Sequence, residues 1–282
     1  MGYNKIKEAL KMTQNERRVY LIKELLAENV NYKHMNIPSD VTHQKELLRT
    51  LMNERYPAPI SKEFLAVQDE YLKNAIDEKG ITRLSDLKPI FEDIYLWQGD
   101  ITTLECDAIV NAANSQMLGC FRALHNCIDN CIHTYSGVQL RNLCFEIMQK
   151  QGYEEPSGHA KITPAFNLPC KHIIHTVGPI INTFLREEHR KTLASCYKSC
   201  LELADKENCK SIAFCCISTG VFGFPQYEAA KIAIKTVTEY KKKHKSNMKV
   251  IFNVFKYEDL MIYEELFEEK KLLLHLTELV EE

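Results

Sequence analysis

Ser211-Ile-Ala-Phe-Cys-Cys-Ile217 runs directly into Ser218-Thr-Gly-Val-Phe-Gly223, and a helical pattern over 226–243 follows. The first segment is apolar and short, which reads as a buried strand. The second is a glycine- and hydroxyl-bearing loop. Strand, loop and helix in that order form one half of a βαβ unit, and the surrounding chain repeats the pattern. Ile94-Tyr-Leu-Trp97, Ala108-Ile-Val110, His172-Ile-Ile-His-Thr-Val177 and Val250-Ile-Phe-Asn-Val254 are further strand candidates, with helical patterns over 129–150 and 190–206. Strands alternating with helices predict a three-layer α/β/α domain with a mostly parallel central sheet. We expect this domain over 91–270, with the charged amphipathic helix of 259–282 ending in a tail over 271–282.

Residues 1–90 read differently. They hold none of the 11 cysteines and are rich in Lys, Glu, Leu and Arg. Leu21, Leu25 and Leu26 recur at helical spacing, as do Leu47, Leu48 and Leu51. Tyr56-Pro57-Ala58-Pro59 interrupts the helices, because proline excludes helix at and just before itself. A further helix is expected over 63–78, stopped by Gly80. This region predicts a small all-helical domain without a catalytic cluster of its own.

Composition narrows the function classes. Of 282 residues, 45% are hydrophobic and 26% charged, which excludes a collagen-like or mainly disordered chain. Formal net charge is −2, so there is no overall basic excess to attract nucleic acid, and we expect no nucleic-acid partner. No apolar run approaches the ~18 residues of a membrane helix, so no membrane association is expected. The charged start MGYNKIKEALKMTQNERR lacks an apolar leader core, which predicts a cytoplasmic protein with reduced thiols.

In open parallel sheets, ligands bind where loops leave the carboxyl ends of strands. Three loops qualify: Gln98-Gly-Asp-Ile-Thr102, Val110-Asn-Ala-Ala-Asn114 with its continuation, and Ser218-Thr-Gly-Val-Phe-Gly223. None has the lysine of a phosphate-binding P-loop or a G-x-G-x-x-G fingerprint. After the second loop, Cys120, His125 and Cys127 form C-x4-H-x-C. Thiolate and imidazole suit zinc, and three protein ligands leave a fourth position open, as in catalytic sites. On spacing alone, two buried thiols and a surface histidine explain the pattern equally well. His175 and His133 read as core histidines, and Cys215 and Cys216 as strand core.

Gly99-Asp-Ile-Thr, Asp107-Ala-Ile-Val-Asn-Ala-Ala-Asn114, His175-Thr-Val-Gly-Pro179 and Ser218-Thr-Gly-Val-Phe-Gly-Phe-Pro225 resemble the macrodomain family in order and spacing, over about 92–267. Gly119-Cys-Phe-Arg-Ala-Leu-His-Asn-Cys-Ile-Asp-Asn130 replaces the usual glycine run. It resembles the zinc-dependent macrodomain subfamily, as do Glu46-Leu-Leu-Arg-Thr-Leu-Met-Asn and Pro59-Ile-Ser-Lys-Glu-Phe-Leu in the helical extension. Ala123 stands where that subfamily usually has proline, which should loosen the loop without removing a ligand.

The resemblance implies a hydrolase that removes mono-ADP-ribose from modified protein side chains by glycosidase- or esterase-type chemistry. It implies one Zn2+ per chain on Cys120, His125 and Cys127. Asp100 and Ile101 would select adenine. Cys127, Ile128, Asp129 and Asn130 at a helix start, and Ser218, Thr219, Gly220, Val221 and Gly223, would hold the pyrophosphate. Phe222 would pack on the distal ribose. Asn114 would orient that ribose and Asp129 would assist water attack, so both are the expected catalytic residues. Asp129 also reads as a helix N-cap. The sequence leaves open whether zinc polarises a ribose oxygen or activates a water. The alternatives are a non-enzymatic ADP-ribose reader and an O-acetyl-ADP-ribose deacetylase. In each case the partner is an ADP-ribose moiety, in the leading reading one carried by a mono-ADP-ribosylated protein.

Overall fold

The computed structural model of the chain describes residues 11–30 and 32–281, with side chains up to residue 273. Residues 1–10 of the expected helical region and residue 282 of the expected tail lie outside the described residues. Packing groups the chain into two compact units that interleave in sequence. One comprises Met1–Ile81, Gln116–Glu154 and Thr163–Pro169; the other comprises Thr82–Ser115, Glu155–Ile162 and Cys170–Glu282.

The first unit is helical. It contains α1 (Gln14–Glu28), α2 (Val41–Glu54), α3 (Lys62–Lys79), α4 (Ile128–Ser136) and α5 (Val138–Gln151). Each of the first three starts at a side-chain cap: Thr13 in a capping box with Glu16, Asp40 on the His43 amide, and Ser61 on the Phe64 amide. Each such cap contributes about 1 kcal/mol. Gly80, at φ +87°, ends α3 as expected. The apolar stripes meet in one core: Leu21, Leu25 and Leu26 of α1, Leu48 and Leu51 of α2, and Phe64, Val67 and Leu72 of α3. Val138 of α5 joins the same core, so the segment after residue 116 completes the helical unit.

One helix was expected over 129–150; the structure has two. Gly137, at φ +100°, stands between α4 and α5. The Gln68 side chain occupies the room a Cβ would need there, and it accepts a hydrogen bond from the Val138 amide.

The second unit carries the sheet. Its strands are β1 (Thr82–Arg83), β2 (Pro89–Phe91), β3 (Ile94–Gln98), β4 (Leu104–Glu105), β5 (Ala108–Ala113), β6 (Ala160–Pro164), β7 (His172–Val177), β8 (Ser211–Phe214) and β9 (Lys249–Val254). β1 and β4 pair separately, and the seven-stranded sheet has the order β2-β3-β9-β8-β5-β7-β6. β2 is antiparallel to β3, while the ladders from β3 through β9, β8 and β5 to β7 are parallel. The α/β fold with a mixed, mostly parallel sheet is therefore the one its sequence pattern implies.

Helices α6 (Glu187–Lys206), α7 (Gln226–His244) and α8 (Tyr257–Glu281) belong to this unit. α6 packs against β7 and α7, and α8 packs against α7, β3 and β9. The central strands are buried along their length, which is why they read as continuous apolar runs rather than as alternation. Phe252 of β9 anchors the layer: its ring lies 5.1 Å from Tyr263 and 6.1 Å from Phe267 of α8. α8 runs unbroken through residues 270 and 271. No helix among the described residues is long and apolar enough to cross a membrane.

Candidate functional site

Parallel register brings the second unit's loops to one edge of its sheet. Gln98 pairs with Val254, Ala108 with Ile212 and Phe214 with Phe252, so β3, β5 and β8 end on the same side. After β3, the Gly99 amide donates to the Val254 carbonyl at 3.0 Å. The buried Asn253 side chain donates to the Gly99 carbonyl at 2.9 Å. The next residue, Asp100, caps a short 3-10 turn, Ile101–Thr103. Its Oδ1 accepts from the Thr102 amide at 3.0 Å and the Thr102 hydroxyl at 2.6 Å. These bonds orient the carboxylate. Ile101 is buried.

Asn114 follows β5 directly and is half-buried. Beneath it on β5, Asn111 faces His175 Nδ1 of β7 at 3.2 Å. Burial pushes the His175 imidazole down to about 3, so it is a neutral core group at physiological pH. The loop after β8 turns sharply at Ser218, whose φ is +65°. Its own hydrogen bonds use the amides of Thr219, Gly223 and Phe224, and the Ile181 amide donates to the Phe222 carbonyl at 2.8 Å. Gly178 makes the turn possible, since a Cβ there would collide with the Ser218 hydroxyl. Phe222 is half-buried, and Val221 is 80% exposed.

The first unit carries the cysteine–histidine loop. The ligand atoms of Cys120, His125 and Cys127 all lie within 4.8 Å of one another. Cys120 Sγ is 3.5 Å from His125 Nδ1. All three side chains are half-buried, as an open-faced centre requires. Burial pushes the Cys127 thiol up to about 12, a direction that a cation's charge opposes, since a coordinating thiol is deprotonated. Two soft sulfurs and one imidazole in this arrangement fit zinc.

Helix α4 begins at Ile128, and its N-cap is Cys127, not Asp129. Cys127 Sγ accepts from the Asn130 amide at 3.4 Å. Sequence preference favours aspartate at a cap, but the cysteine wins because it already sits one turn ahead of Asn130. Asp129 falls inside the first turn, buried, with Oδ1 3.6 Å from His133 Nε2. Asn130 is fully buried. Its Nδ2 donates to the carbonyls of Cys120 at 3.2 Å and Arg122 at 2.9 Å. Its amide and its side chain thus both shape the loop.

Sequence reasoning missed Arg141. This arginine is 5% exposed and donates to four carbonyls: Leu118 at 2.7 Å, Met52 at 3.0 Å, Asn53 at 2.8 Å and Arg55 at 2.7 Å. Burial lowers its guanidinium to about 10. It stacks 4.3 Å from the Phe121 ring, next to Cys120. A basic residue on an amphipathic helix carries no sequence signal for such a role. Asn253 was missed too, since one buried asparagine inside an apolar strand run carries no signal for holding a neighbouring loop.

The macro domain family pattern matches residues 110–233. A protein-ADP-ribose hydrolase of Treponema medium is 59% identical over 259 residues, covering 90% of this chain and 99% of that protein. One from Staphylococcus aureus is 52% identical, covering 92% and 98%. Among solved structures, the Oceanobacillus iheyensis macrodomain with ADP is 36% identical, with TM-score 0.58, covering 66% of this chain and 95% of that one. The Trypanosoma brucei macrodomain in complex with ADP-ribose is 27% identical, with TM-score 0.60, covering 77% and 94%. With relatives this similar along nine-tenths of its length, and with the loops after β3, β5 and β8 at one edge of the sheet, the chain belongs to the macro domain family.

Proposed function

We propose that this protein hydrolyses mono-ADP-ribose from modified protein side chains and holds one Zn2+ per chain on Cys120, His125 and Cys127. The observation that carries the reading is the convergence of those three donor atoms, within 4.8 Å, at the start of a helix in a macro domain. The names of the Treponema and Staphylococcus relatives support the hydrolase part. In a three-ligand site zinc supplies Lewis acidity.

The remaining roles fall to the chain's own groups. Asp100 accepts the exocyclic amine of adenine, with its carboxylate already aimed by Thr102, and the Ile101 amide assists. The amides of Gly220, Val221 and Phe222 stand between the loop's internal bonds and donate to pyrophosphate, within the turn shaped by Ser218, Thr219 and Gly223. At the start of α4 the amides of Ile128 and Asp129 serve the same purpose, since the Asn130 amide is engaged by Cys127. Phe222 covers the distal ribose, and Asn114 orients its hydroxyls with a donor and an acceptor. Asp129 orients and deprotonates the attacking water. We place the protein in the cytoplasm, where its free thiols stay reduced.

The test is release of ADP-ribose from a mono-ADP-ribosylated protein by the purified chain. We expect release that stops after zinc chelation and returns when Zn2+ is restored. Full activity in protein shown to be metal-free would overturn the zinc assignment. Tight ADP-ribose binding without release from any linkage would overturn the hydrolase reading and leave a reader.

A further inference from the structure

The loop that carries Cys120, His125 and Cys127 has no strand or helix of its own between Gly119 and Cys127. Its backbone supplies one turn bond, from the His125 amide to the Arg122 carbonyl at 3.3 Å. Leu124, directly before the histidine, has φ +54°, a conformation that costs a branched side chain energy and persists only where surroundings enforce it. The enforcement comes from α2. Asn53, 1% exposed, accepts from the Leu124 amide at 3.2 Å and donates to the Thr134 hydroxyl of α4 at 2.8 Å. One turn earlier on the same helix, Arg49 Nη2 donates to the His125 carbonyl at 2.9 Å and to Asn130 Oδ1 at 3.1 Å. Asn130 in turn holds the carbonyls of Cys120 and Arg122.

We propose that Arg49 and Asn53 are positioning residues for the metal centre, holding the loop in its ligating shape before a metal arrives. This rests on the reading that the triad binds zinc. Arg49 and Asn53 are four residues apart, so both project from the same face of α2. Between them they fix both sides of the His125 residue: the amide of the residue before it and its own carbonyl. With the backbone fixed on both sides, the imidazole needs only a side-chain rotation to reach its place. A loop ordered in advance spares the metal the entropy of ordering it, and the gain appears mainly as slower metal release. The bonds lie on the ligand backbone and not on the ligand atoms, so the two residues tune affinity without joining the coordination sphere. On this account the α1–α3 region is the scaffold on which the centre is built.

The experiment uses the full chain and the variants Arg49→Ala, Arg49→Lys and Asn53→Ala, with circular dichroism and melting temperature as folding controls. Amide exchange over 118–131 is read by mass spectrometry in metal-free protein. Zn2+ affinity is read by competition with a chromophoric chelator, and the Co2+-loaded spectrum reports ligand geometry. In metal-free wild type we expect the segment to be protected, and both alanine variants to lose that protection locally. We expect zinc affinity to fall roughly tenfold to a hundredfold for each, the scale of one lost hydrogen bond to or from a charged or buried group. Arg49→Lys, which keeps a donor for the His125 carbonyl, should recover part of that loss, and the alanine variants should show a broadened Co2+ spectrum.

Folded variants with wild-type exchange and wild-type zinc affinity would overturn the proposal while leaving the metal assignment intact. If Asn53→Ala fails to fold, Arg49→Ala and Arg49→Lys decide the matter alone, because Arg49 is only half-buried. A wild-type chain that binds no zinc, yet loses loop protection in Arg49→Ala, would overturn the metal reading and retain the bracing. Unprotected exchange in wild type would overturn the pre-formed loop itself.

Discussion

The loops of the sheet unit and the cysteine–histidine loop of the helical unit are held by different means. Gly99 and Asn114 continue directly from strands and Ser218 follows β8 after three intervening residues, so the parallel register sets where each loop starts. The cysteine–histidine loop has no strand to continue from. Side chains from α2 and α4 reach its carbonyls and its Leu124 amide instead, and Arg141 of α5 holds the Leu118 carbonyl just ahead of it. Backbone-held loops inherit the precision of a ladder and tolerate side-chain changes nearby. A side-chain-held loop depends on a few polar residues, each costly to lose.

The largest expected effect is at Gly119. Its φ is +79°, and a Cβ there would lie 2.7 Å from Cγ of the buried His133 ring. Gly119→Val should cost about 2–4 kcal/mol, combining the backbone penalty with overpacking. Urea unfolding and zinc stoichiometry check it. Wild-type stability with retained metal would show that the loop is less constrained than its contacts imply.

Arg141 comes next. Arg141→Met would strand carbonyls of Met52, Asn53, Arg55 and Leu118 in a buried setting. With roughly 1–3 kcal/mol for a buried group left unpaired, the total should be about 3 kcal/mol, since some carbonyls will find water. Zinc affinity should fall in parallel. A loss of stability with zinc affinity unchanged would separate the helix brace from the metal loop and weaken the comparison.

In the sheet unit, Asp100→Ala should weaken ADP-ribose binding roughly tenfold to a hundredfold and leave the metal in place. Asp100→Asn keeps an acceptor for Thr102 and so preserves the turn while removing the charge. Calorimetry with ADP-ribose and its inosine analogue reads both variants. Equal affinity of the wild type for the two nucleotides would reject the adenine role.

The far end of the same sheet offers a pH test of ladder-held structure. Asp107 accepts from the Lys210 amide at 2.7 Å, the Ser211 amide at 3.1 Å and Lys171 Nζ at 2.7 Å. Burial raises its carboxyl, but these bonds outweigh it and hold the group below its ordinary value. A carboxyl lowered on folding stabilises the protein above its unfolded pKa of about 3.9, and that stability is lost as pH falls through the lower folded value. Asp107→Asn should therefore be less stable at pH 7 by roughly 1 kcal/mol, and the difference should close below about pH 4. A deficit independent of pH would assign the effect to packing.

The comparison also explains what the sequence discloses. β3, β5, β7, β8 and β9 were legible because each is a short, largely buried apolar run, and their loops followed from strand ends; β1, β2, β4 and β6 were not, because they are two to five residues long and partly exposed. The cluster of Cys120, His125 and Cys127 was legible as a candidate because three metal-ligating residues fall within eight positions, but spacing alone left buried thiols as an equal explanation, and only the family resemblance pointed to zinc. Arg49 and Asn53 lie in the stretch 46–53 that carries the resemblance, but nothing in its sequence, or around Arg141, showed that these side chains hold loop carbonyls and amides. The cap at Cys127 and the break at Gly137 were hidden too: cysteine is not a favoured cap, and one glycine in a helical pattern does not announce a new helix.

The smallest effect sharpens the comparison most, because it alters only backbone freedom. Arg122, Ala123, Leu124 and His125 form a turn closed by the 3.3 Å bond from the His125 amide, with positive φ at its third residue. The second residue of such a turn is the position proline favours, since its ring presets φ near −65°. In this chain alanine stands there, so the unfolded loop retains freedom that Arg49 and Asn53 must remove. Ala123→Pro should stabilise the loop by about 0.4–1 kcal/mol, which corresponds to roughly twofold to fivefold slower zinc release. The gain should be larger in the Arg49→Ala background, where the side-chain brace is missing, and absent from ADP-ribose binding to metal-free protein. Stopped-flow chelation measures the release rates. A proline variant that releases zinc faster than wild type would mean that residue 123 does not adopt the proline-compatible backbone, and that side-chain bracing alone sets the loop.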